Sequence, residues 1–303
     1  MREVKDLNKI LWLTSDSQHK ENALRDLSLW GDVPAFGFER EENPLRQSSI
    51  ERENKVRLMA FLSLVLDEKR TGFFGVPYRE LFALYPKPEV VKRGIMKFEK
   101  KDAIDAVDVF EELISIGYEV AMDAYVERGE YYRHGDLMTI WPVNMETPIR
   151  LELGFDEVEK ICLFNQVEKV DIQEVDSVEI YPIDVPDGDT PLMHYFGRGS
   201  LVLDDEVEFP DDDSEAFEEA MKTRLPESRY LEFRSFMEET AYHHHLHYLS
   251  VLKYYTPLDF VADLREKLTS DWTIFLFTKH PELYTGLFEE KKISASELKR
   301  ALD

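Results

Sequence analysis

Four histidines, His243, His244, His245 and His247, offer the most obvious capacity for chemistry in this sequence. On a helix, His243 and His247 would share a face four residues apart, where both imidazoles could ligate zinc. Neither a cysteine partner nor an H-E-x-x-H pattern accompanies them, and the competing reading is a surface segment beside Tyr242 and Tyr248. A metal-dependent hydrolase built on this pair is the enzyme alternative, but no metal ligand set is assigned. Asp204-Asp205-Glu206 has the form of an acidic magnesium-binding motif. A nucleotide site also needs a Gly-rich cradle with Lys and Ser/Thr, whose backbone amides contact the phosphates. Gly72-Phe73-Phe74-Gly75 has neither the lysine nor a helix-opening context, and reads as a strand. Cys162, the one cysteine, lies in the apolar run Glu159-Lys160-Ile161-Cys162-Leu163-Phe164 and reads as a packing residue. Close carboxylate pairs are expected by chance in so acidic a chain, and no nucleophile-elbow motif is present. The sequence therefore reads as non-enzymatic, with no catalytic residues and no cofactor.

The stretch from Gly129 to Ile161 is different in kind. Gly129-Glu130-Tyr131-Tyr132-Arg133-His134-Gly135 leads through Leu137-Met138-Thr139-Ile140-Trp141-Pro142 to Pro148-Ile149-Arg150-Leu151-Glu152. Short runs broken by glycine describe a ladder of strands, with Gly129 and Gly135 permitting tight turns or close backbone approach. Arg133, His134 and Arg150 bring hydrogen-bond donors near aromatic groups, the composition of protein-binding hot spots. The same pattern also fits a stable sheet whose polar face is merely solvated.

Composition narrows the partners. Lys and Arg number 37 against 62 Asp and Glu, a net charge of −25 over 303 residues. That charge repels phosphate backbones, and the basic residues are mostly interleaved with acids, so direct nucleic-acid binding is expected to be weak or absent. No run of about 18 apolar residues spans a membrane. The mixed-charge start, Met1-Arg2-Glu3-Val4-Lys5-Asp6, lacks the apolar core of a secretory signal. With one cysteine there is no internal disulfide framework, and a cytoplasmic location is expected.

The elements that must position these residues follow from periodicity. Ile10–Thr14, Val33–Phe38, Gly72–Val76 and Ile95–Phe98 read as strands. Helical patterns lie between and after them at Lys20–Leu29, Ser48–Leu66 (with Ser48 or Ser49 as cap), Tyr78–Leu84 and Ala106–Ile116. This alternation predicts an α/β layer with a mainly parallel sheet over residues 1–117. From Gly117 the period becomes alternating. Tyr131–Trp141, Ile149–Leu153, Lys160–Phe164 and Val178–Tyr181 predict an antiparallel, β-rich inserted domain over 118–187, with a short helix possible at Glu157–Lys160. Ser200–Leu203 returns the chain to the α/β layer, which closes over 188–255 with a helix capped at Asp213 or Ser214. A small α/β domain over 256–303 is predicted from Thr256–Leu268, Trp272–Phe277, Pro281–Glu290 and a last turn capped at Ser294 or Ser296.

These residues carry a family resemblance. Gly129, Glu130, Tyr131, Gly135, Leu137, Ile140, Trp141 and Pro142, then Arg150, Leu151, Glu152, Asp156, Glu157, Val158, Glu159 and Ile161, form an ordered set. It resembles the UvrA-interaction domain shared by the excision-repair protein UvrB and the transcription-repair coupling factor, Mfd. Leu11–Leu27, Lys55–Leu66, Phe73–Leu81 and Phe110–Gly117 before it, and Leu192–Leu203 after it, fall in the order of the coupling factor. Pro257–Ile293 resembles a small domain that the coupling factor has and UvrB lacks. Three positions depart from the pattern: His134 replaces an arginine beside Arg133, Gly154 replaces an aromatic one place before Phe155, and Thr139 replaces an aspartate. The resemblance implies a degenerate parallel-sheet scaffold carrying a module that recruits UvrA or a UvrA-like protein in nucleotide excision repair. Arg133, His134, Arg150 and Glu152 would form its polar centre, with Gly154 on the same face and Phe155 or Trp141 as apolar anchor. It further implies that the ATP-driven translocase motor lies outside this sequence. A separately encoded motor is thus a second expected partner, and a structural or autoinhibitory module acting on it is the alternative function.

Overall fold

Leu11 and Leu13 alternate along the first strand and are both fully buried, as befits a strand covered by helices in a parallel sheet. The computed structural model describes residues 9–30, 34–41, 45–154, 157–196, 200–205, 229–233, 256–270, 274, 281–291 and 293. The chain divides into two compact units, Met1–Met237 and Glu238–Asp303. The first begins β1 (Lys9–Thr14), α1 (Ser17–Trp30), β2 (Ala35–Gly37), α2 (Ser48–Leu66) and β3 (Gly72–Pro77). An inserted region follows with β4 (Leu84–Tyr85), α3 (Pro88–Arg93), β5 (Met96–Glu99), α4 (Ala106–Ser115), β6 (Glu119–Val120), β7 (Glu130–His134) and β8 (Leu137–Ile140). It continues with β9 (Ile149–Leu153), β10 (Val158–Asn165), β11 (Val170–Glu174) and β12 (Ser177–Ile180) before β13 (Thr190–Pro191) and α5 (Met193–Phe196). The chain then re-enters the first sheet at β14 (Leu201–Asp205) and β15 (Arg229–Phe233).

The fold is therefore α/β: a five-stranded parallel sheet in the order β15-β14-β1-β3-β2, interrupted by a six-stranded sheet in the order β11-β10-β9-β8-β7-β6. The second sheet is antiparallel except at the β6–β7 edge. Under the parallel sheet, Phe74 meets Phe36, Phe61 and Phe196 at ring-centroid distances of 5.2, 5.8 and 5.6 Å. Met59, Leu62 and Val65 of α2 fill the same core. On the other face α1 comes close because two strands carry glycine there. A Cβ on Gly37 would lie 2.5 Å from Leu24 Cδ1, and one on Gly75 3.2 Å from Leu24 Cδ2. Gly72-Phe73-Phe74-Gly75 is thus a strand whose second glycine seats a helix.

The N-terminal half of α2 ties the insert to this scaffold. Arg52 donates from Nη1 to the Gly117 carbonyl at 3.1 Å and from Nη2 to the Gly129 carbonyl at 3.0 Å, and pairs with Glu119 at 2.9 Å. The returning chain is fixed at the same place, since the amides of Ile183 and Asp184 both donate to the Ile116 carbonyl. Behind it, the buried Tyr118 hydroxyl donates to the Tyr181 carbonyl and accepts from the Val143 amide, each at 3.0 Å.

Several elements differ from their sequence expectation. Met96–Glu99 is a strand but not part of the parallel sheet; it pairs antiparallel with Ser177–Ile180. Its alternating buried and exposed residues are those of a half-covered antiparallel strand. The helix expected at Tyr78–Leu84 is a single 3₁₀ turn, Tyr78–Leu81, because Leu84–Tyr85 is drawn into a pairing with Thr190–Pro191. Pro86 favours that extended conformation in the residue before it. The second strand is shorter than Val33–Phe38, and α2 starts at Ser48 behind Gln47, which makes no side-chain cap. Glu157–Lys160 is not helical, since Val158 opens β10. The edge strand Val170–Glu174 was not anticipated: Val170 and Ile172 alternate with polar residues, but all five residues are exposed, so the alternation marks no buried face. The helix expected near Asp213 and Ser214, the caps at Ser294 and Ser296, and the strand Trp272–Phe277 apart from Ile274 lie outside the described residues.

In the second unit, helix Pro257–Thr269 starts with Pro in its first turn behind Thr256, whose hydroxyl accepts from the Asp259 amide at 3.2 Å. Phe260 packs on Tyr284 and Phe288 of helix Pro281–Glu290.

Candidate protein-docking surface

Register across the inserted sheet decides which predicted residues share a face. Directly paired positions on neighbouring strands point to the same side. One row runs His134, Leu137, Glu152 and Lys160 through β7, β8, β9 and β10; the next runs Tyr132, Thr139, Arg150 and Cys162. His134, Arg150 and Glu152 therefore lie on one face, with His134 and Glu152 two strands, about 10 Å, apart. Trp141 belongs to that face at its far end. Its amide continues the ladder by donating to the Glu130 carbonyl, its indole donates to the Met145 carbonyl, and Arg128 lies over its ring. Gly154 follows β9 directly, and its amide donates to the Glu157 carbonyl across the β9–β10 turn. Phe155 lies outside the described residues. Arg133 is not on this face. As the neighbour of His134 in one strand it points to the other side, where its guanidinium covers Phe110 at 5.0 Å and its Nε donates to the Gly135 carbonyl at 2.8 Å.

Arg150 is the best-defined group of the face. Its guanidinium carbon lies 3.6 Å from the centroid of the Phe164 ring, and Nη1 donates to Asp171 Oδ1 at 3.1 Å. Lys160 Nζ takes the other oxygen of Asp171 at 3.0 Å. The side chain keeps 27% exposure. Stacking on an aromatic ring orients the planar fork and lowers the entropy lost when a carboxylate binds its remaining N–H groups. Phe164, Lys160 and Asp171 were not anticipated as site residues. Phe164 and Lys160 stood in an expected strand, where period two places them beside Arg150, but Asp171 belongs to the unanticipated β11.

Electrostatics at the cluster are mixed. Burial raises the Asp171 carboxyl, but Lys160 and Arg150 together outweigh it, and the group ends below the usual carboxylate range. The buried Cys162 thiol is pushed up, chiefly by burial, which suits packing rather than thiolate chemistry. Because the Asp171 carboxyl is lowered on folding, its contribution is present above the unfolded carboxylate value of about 3.9 and is lost as pH falls through the folded value. Asp171→Asn is accordingly expected to cost about 0.5–1 kcal/mol in urea unfolding at pH 7, and clearly less near pH 3. An equal cost at both pH values would show that the ion pairs do not contribute.

The acidic motif of the sequence falls at the end of β14. Asp204 is fully buried opposite Leu13, and Asp205, opposite Thr14, accepts from Trp12 Nε1 at 3.2 Å. The adjoining start of α1 is capped by Asp16, which accepts from the His19 amide at 2.9 Å, so a phosphate there would meet like charge. His243, His244, His245 and His247 lie outside the described residues. Among the described residues no cluster of three or more His, Cys, Asp or Glu could hold a metal ion, and no helix is long and apolar enough to cross a membrane.

A parallel α/β layer carrying an inserted sheet with one polar, arginine-bearing face is the class that fold and surface define. Residues 96–185 match the family model of the UvrB interaction domain, a span that opens on β5 and runs just past its partner β12. The transcription-repair-coupling factor of Borreliella burgdorferi is 29% identical over 103 residues, covering 34% of this chain and 9% of that protein. UvrABC system protein B of Treponema denticola is 39% identical over 138 residues, covering 45% of this chain and 20% of that protein. The transcription-repair-coupling factor of Bacillus subtilis is 29% identical over 106 residues, 35% of this chain and 9% of that protein. The chain thus spans a fifth or less of the length of these relatives.

Proposed function

We propose that this chain is a non-catalytic, cytoplasmic docking module of nucleotide excision repair whose inserted sheet recruits UvrA or a UvrA-like protein. The match of residues 96–185 to the UvrB interaction domain carries this reading. The oriented Arg150 gives it a contact point, and His134 and Glu152 extend the same face. Arg133 contributes from the opposite side only by holding the β7–β8 turn through the Gly135 carbonyl.

Titration of purified UvrA against the full chain tests the proposal. Wild type should bind, and Arg150→Ala should weaken binding by about 2 kcal/mol, roughly thirtyfold. Since Arg150 also covers Phe164, the partly exposed Glu152→Ala provides a companion variant that removes no ring contact. Unchanged binding by both variants would remove this face from the interface. Absence of binding by wild type would overturn the partner and favour the structural role on a separately encoded translocase.

A further inference from the structure

The opposite side of the inserted sheet has an apolar surface that the Arg150 face does not use. In α4, Val109 and Leu113 point inward and are buried, while Val107 and Ile114 are 60% and 58% exposed. Val107, Phe110 and Ile114 are spaced by three and four residues, so they form one stripe along the helix. Phe110, in the middle, is half-buried and stacks on Tyr131 at 5.7 Å, with the Arg133 guanidinium 5.0 Å from its ring centroid. The stripe continues onto the sheet. Val120 of β6 pairs in register with Tyr131 and is 63% exposed, so it lies on the same face beside that aromatic pair. Two exposed aliphatic side chains thus flank one half-covered phenylalanine on the helix, and a third, Val120, stands beside its ring partner Tyr131 at the edge of the sheet. A contiguous apolar patch of this kind, unlike scattered exposed residues, marks an interaction surface.

The charge around it selects the partner. The ten residues of α4 include Asp108, Glu111 and Glu112 and no lysine or arginine. None of the three carboxylates has an ion-pair partner among the described residues, whereas Asp171 and Glu174 of the same insert are each paired with a cation. An apolar stripe at helical spacing bordered by unpaired carboxylates is complementary to a helix with aliphatic anchors and flanking Lys or Arg. We propose that α4 and the adjoining β6 form a second docking surface, which takes a basic amphipathic helix of a partner protein. It faces away from His134, Arg150 and Glu152, so one module can hold two partners at once.

The test uses the full chain and a fluorescent helical peptide of leucine and lysine patterned to place leucine on one face, with a leucine–glutamate peptide of the same pattern as control. The leucine–lysine peptide should bind and the control should not. The double variant Val107→Glu with Ile114→Glu, at exposed positions that leave the core intact, should weaken binding roughly tenfold or more. Glu111→Lys with Glu112→Lys should reverse the preference between peptides, and Arg150→Ala should leave both affinities unchanged. Wild-type affinity in the Val107/Ile114 variant, or equal binding of both peptides by the native chain, would overturn the proposal. So would a dimer of the native chain, seen by sedimentation, that the same variant dissolves, because a second copy would then be the occupant.

Discussion

Arg52→Ala is expected to destabilise the first unit by about 2–4 kcal/mol in urea unfolding, an unusually large effect for a side chain that is partly exposed. The guanidinium forks to two carbonyls, Gly117 and Gly129, and adds an ion pair to Glu119. Hydrogen bonds from a charged donor contribute about 1.5–3 kcal/mol each, and the deleted donor leaves a carbonyl without its partner. Gly129 keeps one donor, the Glu119 amide, whereas the Gly117 carbonyl loses the Arg52 guanidinium. Both carbonyls lie where the chain passes between scaffold and insert, so the same variant should speed hydrogen exchange at residues 117–130 more than in β1 or β3. Arg52→Lys should recover less than half of the loss, because an ammonium cannot serve two carbonyls with the geometry of a planar fork. A cost below about 0.5 kcal/mol for Arg52→Ala would mean that α2 holds the insert by apolar packing alone.

Arg52 also marks the limit of what the sequence could reveal. It lies on the solvent side of an amphipathic pattern, and nothing local says that its targets are backbone carbonyls 65 and 77 residues away. Elements whose apolar residues recur at a clear period were legible: β1, α1, β3, α4 and the strands Ile149–Leu153 and Lys160–Phe164 within β10 all follow from burial on one or both faces. The return of Leu201–Asp205 to the first sheet followed from its apolar run. Elements defined by their partner rather than by their own pattern were not legible. Leu84–Tyr85 is a strand only because Thr190–Pro191 pairs with it, and Val170–Glu174 only because β10 offers an edge. The docking face shows the same division. Arg150, Glu152 and His134 were nameable from composition and resemblance, but Arg133 was named with them, although neighbours in one strand point to opposite sides. Of the groups that orient Arg150, the Phe164 ring follows from period two in β10, but the Asp171 carboxylate depends on a β-bulge between Leu163 and Phe164 that no spacing rule supplies.

The two glycines that punctuate the motif should behave differently, and the comparison separates local strain from packing. Both have left-handed backbones, with φ of +90° at Gly129 and +63° at Gly135. An alanine pays about 1–2 kcal/mol for that conformation at either position. At Gly135 a Cβ would meet nothing within 4 Å, so Gly135→Ala should cost only this local strain. At Gly129 a Cβ would lie 2.9 Å from Ile183 Cδ1 and 3.2 Å from Val56 Cγ2. Both neighbours belong to the junction with α2, where Ile183 is buried and its amide is already fixed to Ile116. Relieving the contact must therefore shift packed side chains or the α2 seam, at a further cost of about 1–3 kcal/mol. Gly129→Ala is expected to lose about 2–5 kcal/mol in urea unfolding, and Gly135→Asn, which tolerates the left-handed region, less than Gly135→Ala. Equal losses for the two alanine variants would show that the junction yields freely. The expected difference would show that the glycine opening the motif is required by the join between insert and scaffold, while the one in the β7–β8 turn is required only by its own backbone.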